Sequence, residues 1–153
     1  MSIKGEYDDD NIFAKIVRGD MPCVKVFEDE ATLAFMDVFP QSPGHCLVIH
    51  KVERARNMLE ISDKALAAIM KTVRKITQGV NAALSPDGIF VTQFNGAPAG
   101  QTVFHLHVHI IPRYEGKLPA PHASGKMADM AVLEDIIRQG VDYIRSNYQT
   151  WES

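Results

Sequence analysis

The sequence predicts an α+β domain: a five-stranded antiparallel sheet with a long central helix and shorter terminal helices. Three observations predict it. Short alternating apolar stretches follow one another with turn residues between them, as in hairpin-connected sheets. Residues 62–84 hold the clearest helical periodicity. No Rossmann or P-loop glycine motif of the parallel nucleotide-binding folds is present, and no internal repeat or low-complexity tract.

The elements follow in order. Residues 1–10 are polar and expected to be loose, leaving 11–148 as a single domain. In "NIFAKIVRGDMP" Ile12, Phe13, Ile16 and Val17 share a helical stripe, with Gly19 and Pro22 as stop signals. "CVKVFED" and "TLAFMDV" alternate as two strands around the acidic turn at Asp29 and Glu30, and "GHCLVIHK" is a third. In the long helix Leu66, Ile69, Met70, Val73, Ile76 and Val80 recur at i, i+3, i+4 spacing behind Ser62, a suitable N-cap. "IFVTQF" is the fourth strand, "NGAPAGQ" a Gly/Pro loop, and "TVFHLHVHIIPR", residues 102–113, the fifth strand. A Gly/Pro-rich irregular stretch leads to a last helix over 130–148, with Leu133, Ile136, Ile137, Val141 and Ile144 on one face.

Composition narrows the partners. The 153 residues are 46% hydrophobic with a formal net charge of −3, which argues against a nucleic-acid polymer. Cys23 and Cys46 form neither a disulfide framework nor a metal motif. No apolar run approaches the ~20 residues of a membrane span, and the acidic start has no signal-peptide core. A cytoplasmic protein is expected.

The fifth strand carries the chemistry. His105, His107 and His109 alternate with Phe104, Leu106, Val108 and Ile110, so the imidazoles share one strand face about 7 Å apart. Three readings fit: structural histidines, a metal site built on His-x-His, or imidazole acting as nucleophile toward phosphorus. No carboxylate or cysteine lies within a few residues to complete a metal site. The preceding "GAPAGQTV" favours phosphorus chemistry, because its backbone N–H groups, Gln101 and Thr102 can donate to anionic oxygens. His50 and His122 are expected at the surface.

"AGQTVFHLHVHIIPR" closely resembles the signature of the histidine triad (HIT) superfamily, in its phosphoramidase and dinucleoside polyphosphate hydrolase branches. "FAKIVRGDMP" and "AFMDVFPQSPGHCLVIHK" extend the resemblance over roughly residues 11–113. It implies hydrolysis or transfer of a nucleoside monophosphate through a covalent nucleotidyl-histidine, with a purine nucleotide as substrate and a homodimer as the assembly. By position, His107 would be the nucleophile. His109 would donate to a phosphate oxygen or help the leaving group, and His105 would orient the others. His45 would complete the cluster, Asp37 would take the ribose hydroxyls, and Gln101 and Thr102 would contact the phosphate. Phe13, Ile16, Phe35 and Val38 would line the base slot. Relatives often bind zinc through a Cys-x-x-Cys pair, but Asn11 and Ala14 stand there, so neither metal nor other cofactor is expected. Phe94 replaces an Asn or Gln of the family. A bulge presenting the neighbouring Asn95 to the nucleotide is the reading taken. A nucleotide-binding regulatory module with little turnover, or a dinucleoside polyphosphate hydrolase as the main activity, is the alternative, and a zinc-binding protein a weaker one.

Overall fold

A computed structural model describes residues 3–118 and 127–148; His122 and most of the Gly/Pro-rich stretch lie outside them. The elements are α1 (Ile12–Arg18), β1 (Lys25–Glu28), β2 (Thr32–Met36), β3 (Cys46–His50), α2 (Asp63–Leu84), β4 (Gly88–Thr92), β5 (His107–Arg113) and α3 (Met130–Asn147). A single 3₁₀ turn, Ala97–Ala99, sits in the Gly/Pro loop. The five strands form one antiparallel sheet in the order β1-β2-β3-β5-β4. Among the described residues no helix is long and apolar enough to cross a membrane.

Local chemistry sets the ends of these elements. The Asn11 side chain accepts from the amides of Phe13 and Ala14 at 3.0 Å, starting α1, and Gly19 closes it at φ +83°. Ser62 caps α2 by accepting from Ala65 N. The apolar stripe of α2, Ile69, Val73, Ile76 and Val80, is buried against one face of the sheet. At roughly 1.5–3 kcal/mol per buried aliphatic side chain, this stripe is a principal support of the fold. Helix α3 crosses α2 where Gly79 and Gly140 meet, and a Cβ on Gly140 would stand 2.8 Å from the Gly79 carbonyl oxygen.

Register divides the sheet into a helix face and a site face. Leu47 pairs with His109 and Ile49 with His107, so these four side chains share the face opposite α2 and α3. Leu33 and Phe35 of β2 join them, and α1 covers this face through Phe13 and Ile16.

Two expectations meet a different structure. The fifth strand begins at His107 rather than at 102, because the chain before it bends toward the loop after β3. There Leu106 N donates to Ala55 O at 2.9 Å. The N-terminal segment, read as loose from its polarity, is held from residue 3 onward. Ile3 O accepts from Arg56 Nη1 and Asn57 Nδ2, each at 2.9 Å, and Arg54 pairs with Asp9. These bonds engage donors of two buried side chains, which polarity patterns do not reveal.

Candidate active site

A cavity of about 320 Å³ opens between α1 and the site face of the sheet, within the size range of small-ligand sites. Phe13, Ile16, Phe35 and Val38 all line it, as do Asp37, Thr102, His107 and His109. Met21, Cys23, Met127 and Met130 also line it and had no sequence signal. Met127 and Met130 reach the rim because Ala128 N donates to Val38 O at 2.7 Å, a single tertiary hydrogen bond.

The histidines lean together. The rings of His107 and His109 are 4.9 Å apart between centroids, closer than their strand spacing, and Phe13 sets its edge 4.9 Å from His107. His105 lies outside β5. Its Nε2 meets the His50 carbonyl at 3.0 Å and its Nδ1 meets the Tyr7 hydroxyl at 2.7 Å. Burial pushes His105 down to about 4, so it is neutral at physiological pH.

Hydrogen-bond partners assign each tautomer. A carbonyl only accepts, so His107 Nδ1, 2.7 Å from His105 O, carries its proton and leaves Nε2 with a lone pair. The Gln41 backbone amide donates to His45 Nδ1 at 3.0 Å, which puts the proton of neutral His45 on Nε2. That N–H faces His109 Nδ1 at 2.9 Å, so neutral His109 is protonated on Nε2. Backbone groups thus prepare one imidazole with its lone pair on Nε2, His107, beside one donating imidazole, His109. His45 reaches this cluster because it continues the β3 alternation and lies diagonally across from His109. Gly44 lets it enter: at φ +94° a Cβ there would stand 2.3 Å from Leu84 Cδ1.

Asp37 is buried at the end of the cluster, with Oδ2 3.5 Å from His45 Nε2 and Oδ1 accepting from Phe39 N. Desolvation raises its carboxyl from 3.8 to about 6 despite that amide. A carboxyl raised in this way favours the folded state when protonated, so it costs stability as pH rises through 4 to 6. The loss is about 3 kcal/mol at neutrality, at 1.36 kcal/mol per tenfold change in ionisation. Asp37→Asn is therefore expected to melt above the parent at pH 7.5, with the gap closing by pH 4. An equal gap at both values in thermal melts would contradict this assignment.

Asp37, His45 and His109 place their ligand atoms within 4.8 Å of one another, bringing together the carboxylate that the strand sequence lacked. The donor set does not fit a divalent ion. Ligation needs a lone pair on His45 Nε2, and the Gln41 amide keeps the proton there. At the positions of the family's cysteine pair, Asn11 is the α1 cap and Ala14 is buried.

Three expected contacts are arranged otherwise. Gln101 is buried with Oε1 accepting from Gly96 N and Nε2 donating to Arg56 O and Val103 O, so its amide fastens the loop. The loop amides expected to hold an anion are engaged as well: Ala99 and Gln101 donate to Gly96 O, and Gly100 to Ala97 O. Asn95 turns to the neighbouring loop, where its Oδ1 accepts from Met58 N, while Phe94 lies against His109 at 5.4 Å. Thr102 remains at the cavity.

Comparison with known proteins gives a consistent pattern. The HIT domain model matches residues 18–116. "Adenosine 5′-monophosphoramidase hnt1" of Schizosaccharomyces pombe is 49% identical over 102 residues, 67% of this chain and 73% of that protein. "Adenylylsulfatase HINT3" of Arabidopsis thaliana is 40% identical over 106 residues, 69% of this chain and 53% of that protein. The crystal structure of a Hit-like protein from Bartonella henselae superposes with a TM-score of 0.82 at 43% identity, covering 90% of this chain and 98% of that one.

Proposed function

Because the chain belongs to the HIT family, we propose that it is a hydrolase or transferase that cleaves a nucleoside monophosphate from a phosphoramidate or phosphoanhydride. The observation that carries this reading is the tautomer pair: His107 Nε2 offers a lone pair to the cavity beside the donor His109. Binding alone needs no such pair, which disfavours a purely regulatory module.

In the first step His107 Nε2 attacks the α-phosphorus. The bond to the leaving amine or phosphate breaks as the new P–N bond forms, and an amine departs with a proton drawn from solvent. His109 Nε2–H donates to a phosphoryl oxygen, stabilising charge that grows toward the transition state. In the second step water attacks the nucleotidyl-histidine, releases its proton to solvent and returns the lone pair to His107. The base sits in the apolar slot of Phe13, Ile16, Phe35 and Val38. Asp37, at the head of that slot, takes the ribose hydroxyls. The homodimer belongs to the same proposal and is supported by edge strand β4, which exposes Phe90 and Val91.

The test compares kcat/KM across adenosine 5′-phosphoramidates, adenylyl sulfate and dinucleoside polyphosphates. Phosphoramidates are expected to lead, in line with the relative named as a phosphoramidase. Tight nucleotide binding with no turnover of any member would overturn the enzyme reading in favour of the regulatory one. Turnover is expected to continue unchanged in strong chelator, since the His45 tautomer opposes metal ligation. Activity lost to chelator and restored by zinc would contradict that.

A further inference from the structure

The N-terminal segment lies against His105 as a strap fixed at both ends. Ile3 O is held by the buried side chains of Arg56 and Asn57, and Asp9 by Arg54. The Arg56 guanidinium is itself seated over the Phe104 ring at 4.9 Å, next to the triad. Between the anchors the strap delivers Tyr7, whose ring lies under Arg54 at 5.3 Å and whose hydroxyl meets His105 Nδ1 at 2.7 Å.

The direction of that hydrogen bond follows from the other side of the ring. The His50 carbonyl accepts, so His105 Nε2 carries the proton and Nδ1 must accept from the Tyr7 O–H. The carbonyl of this same residue accepts from His107 Nδ1 at 2.7 Å. Two hydrogen bonds therefore link the strap to the nucleophile through His105: Tyr7 holds the His105 ring, and the His105 carbonyl sets the His107 tautomer. We propose that Tyr7 is a positioning residue, its hydroxyl holding the plane of the His105 ring and thereby the His105 carbonyl that keeps the proton on His107 Nδ1. The kinetic consequences rest on the proposed nucleotidyl transfer; the geometry does not.

The other ionisable groups around Tyr7 and His105 are His50 on β3, Arg54 and its partner Asp9, and Arg18 on α1. None replaces the hydroxyl as a donor to Nδ1 in the native arrangement, because Arg54 is paired with Asp9 and His50 meets the ring through its carbonyl.

Tyr7→Phe removes only the hydroxyl and keeps the ring under Arg54. Histidine side-chain ¹⁵N spectra recorded against pH should show wild-type His105 as the Nε2–H tautomer titrating near 4. In Tyr7→Phe the His105 Nδ1 resonance should shift to that of a lone pair with no hydrogen-bond donor, and the share of His107 protonated on Nδ1 should fall. With adenosine 5′-phosphoramidate, kcat should fall about tenfold, the size seen when an outer partner of a working imidazole is removed. KM should stay within twofold and the thermal melt should be near that of wild type. An unchanged share of the His107 Nδ1–H tautomer in Tyr7→Phe would overturn the proposal, as would a kcat loss that merely follows a loss of folded protein. Absence of turnover by the wild-type protein would overturn the proposed function and leave the spectra to decide the role of Tyr7.

Discussion

His107→Ala is expected to lose more than about 10⁴-fold in kcat on a nucleoside phosphoramidate, in line with the loss of a nucleophile elsewhere. No neighbour can substitute for it. His105 has Nε2 on the His50 carbonyl and Nδ1 on Tyr7, and His109 uses Nδ1 for His45. His107, which lines the cavity, is thus the imidazole assigned to the attack. Nucleotide affinity should remain within a few-fold, because the apolar slot of Phe13, Ile16, Phe35 and Val38 is untouched. Removing the ring also removes its edge contact with Phe13, worth about 0.5–1.5 kcal/mol. A modest fall in melting temperature is expected, far too small to explain the kinetic loss. A residual rate within tenfold of wild type, measured on folded protein, would contradict this.

The second large effect is at His109. Its ring lies 4.9 Å from that of His107 between centroids, and His109→Ala is expected to cost about 10²–10⁴-fold in kcat, the range for a general acid or a preorganised donor. His45→Ala should lower kcat by less, because His45 acts only by keeping His109 in the right tautomer through a 2.9 Å bond. Since the two act as one unit, removing His45 from His109→Ala should add little further loss. Single-turnover kinetics on the two single variants and the double variant measure this coupling. Fully additive losses would show that His45 has an independent role and that the relay is wrong.

How much of this was legible in the sequence depends on the range of the signal. The long helix was readable because its stripe repeats over about four turns and a serine caps it, and the structure starts α2 at Asp63 behind Ser62. The sheet was readable because alternation is local, and the pairing of Leu47 and Ile49 with two histidines follows from it. The start of the fifth strand was not. Alternation continues through His105, but the backbone leaves the sheet to bond Ala55, and apolar patterning cannot register one amide turning away. The same holds for Gln101 and Asn95, whose amides meet loop backbone far away in sequence. Arg56 and Tyr7 sat in polar stretches with no periodicity, yet together they fasten the strap over His105. Asp37 was placed at the site by resemblance, but its 3.5 Å approach to His45 and its raised carboxyl needed the fold. Most of what escaped the sequence is a single long-range hydrogen bond that one residue makes once.

The central claim is that His107 Nε2 becomes covalently bonded to phosphorus. It is tested most directly by mixing the protein with a labelled adenosine 5′-phosphoramidate, quenching in acid within milliseconds and measuring intact mass. Wild type is expected to carry one adenylyl group on a fraction of chains, mapped by peptide fragmentation to His107 and absent from His107→Ala. An adduct of normal yield on His107→Ala, mapped to His105 or His109, would contradict the account.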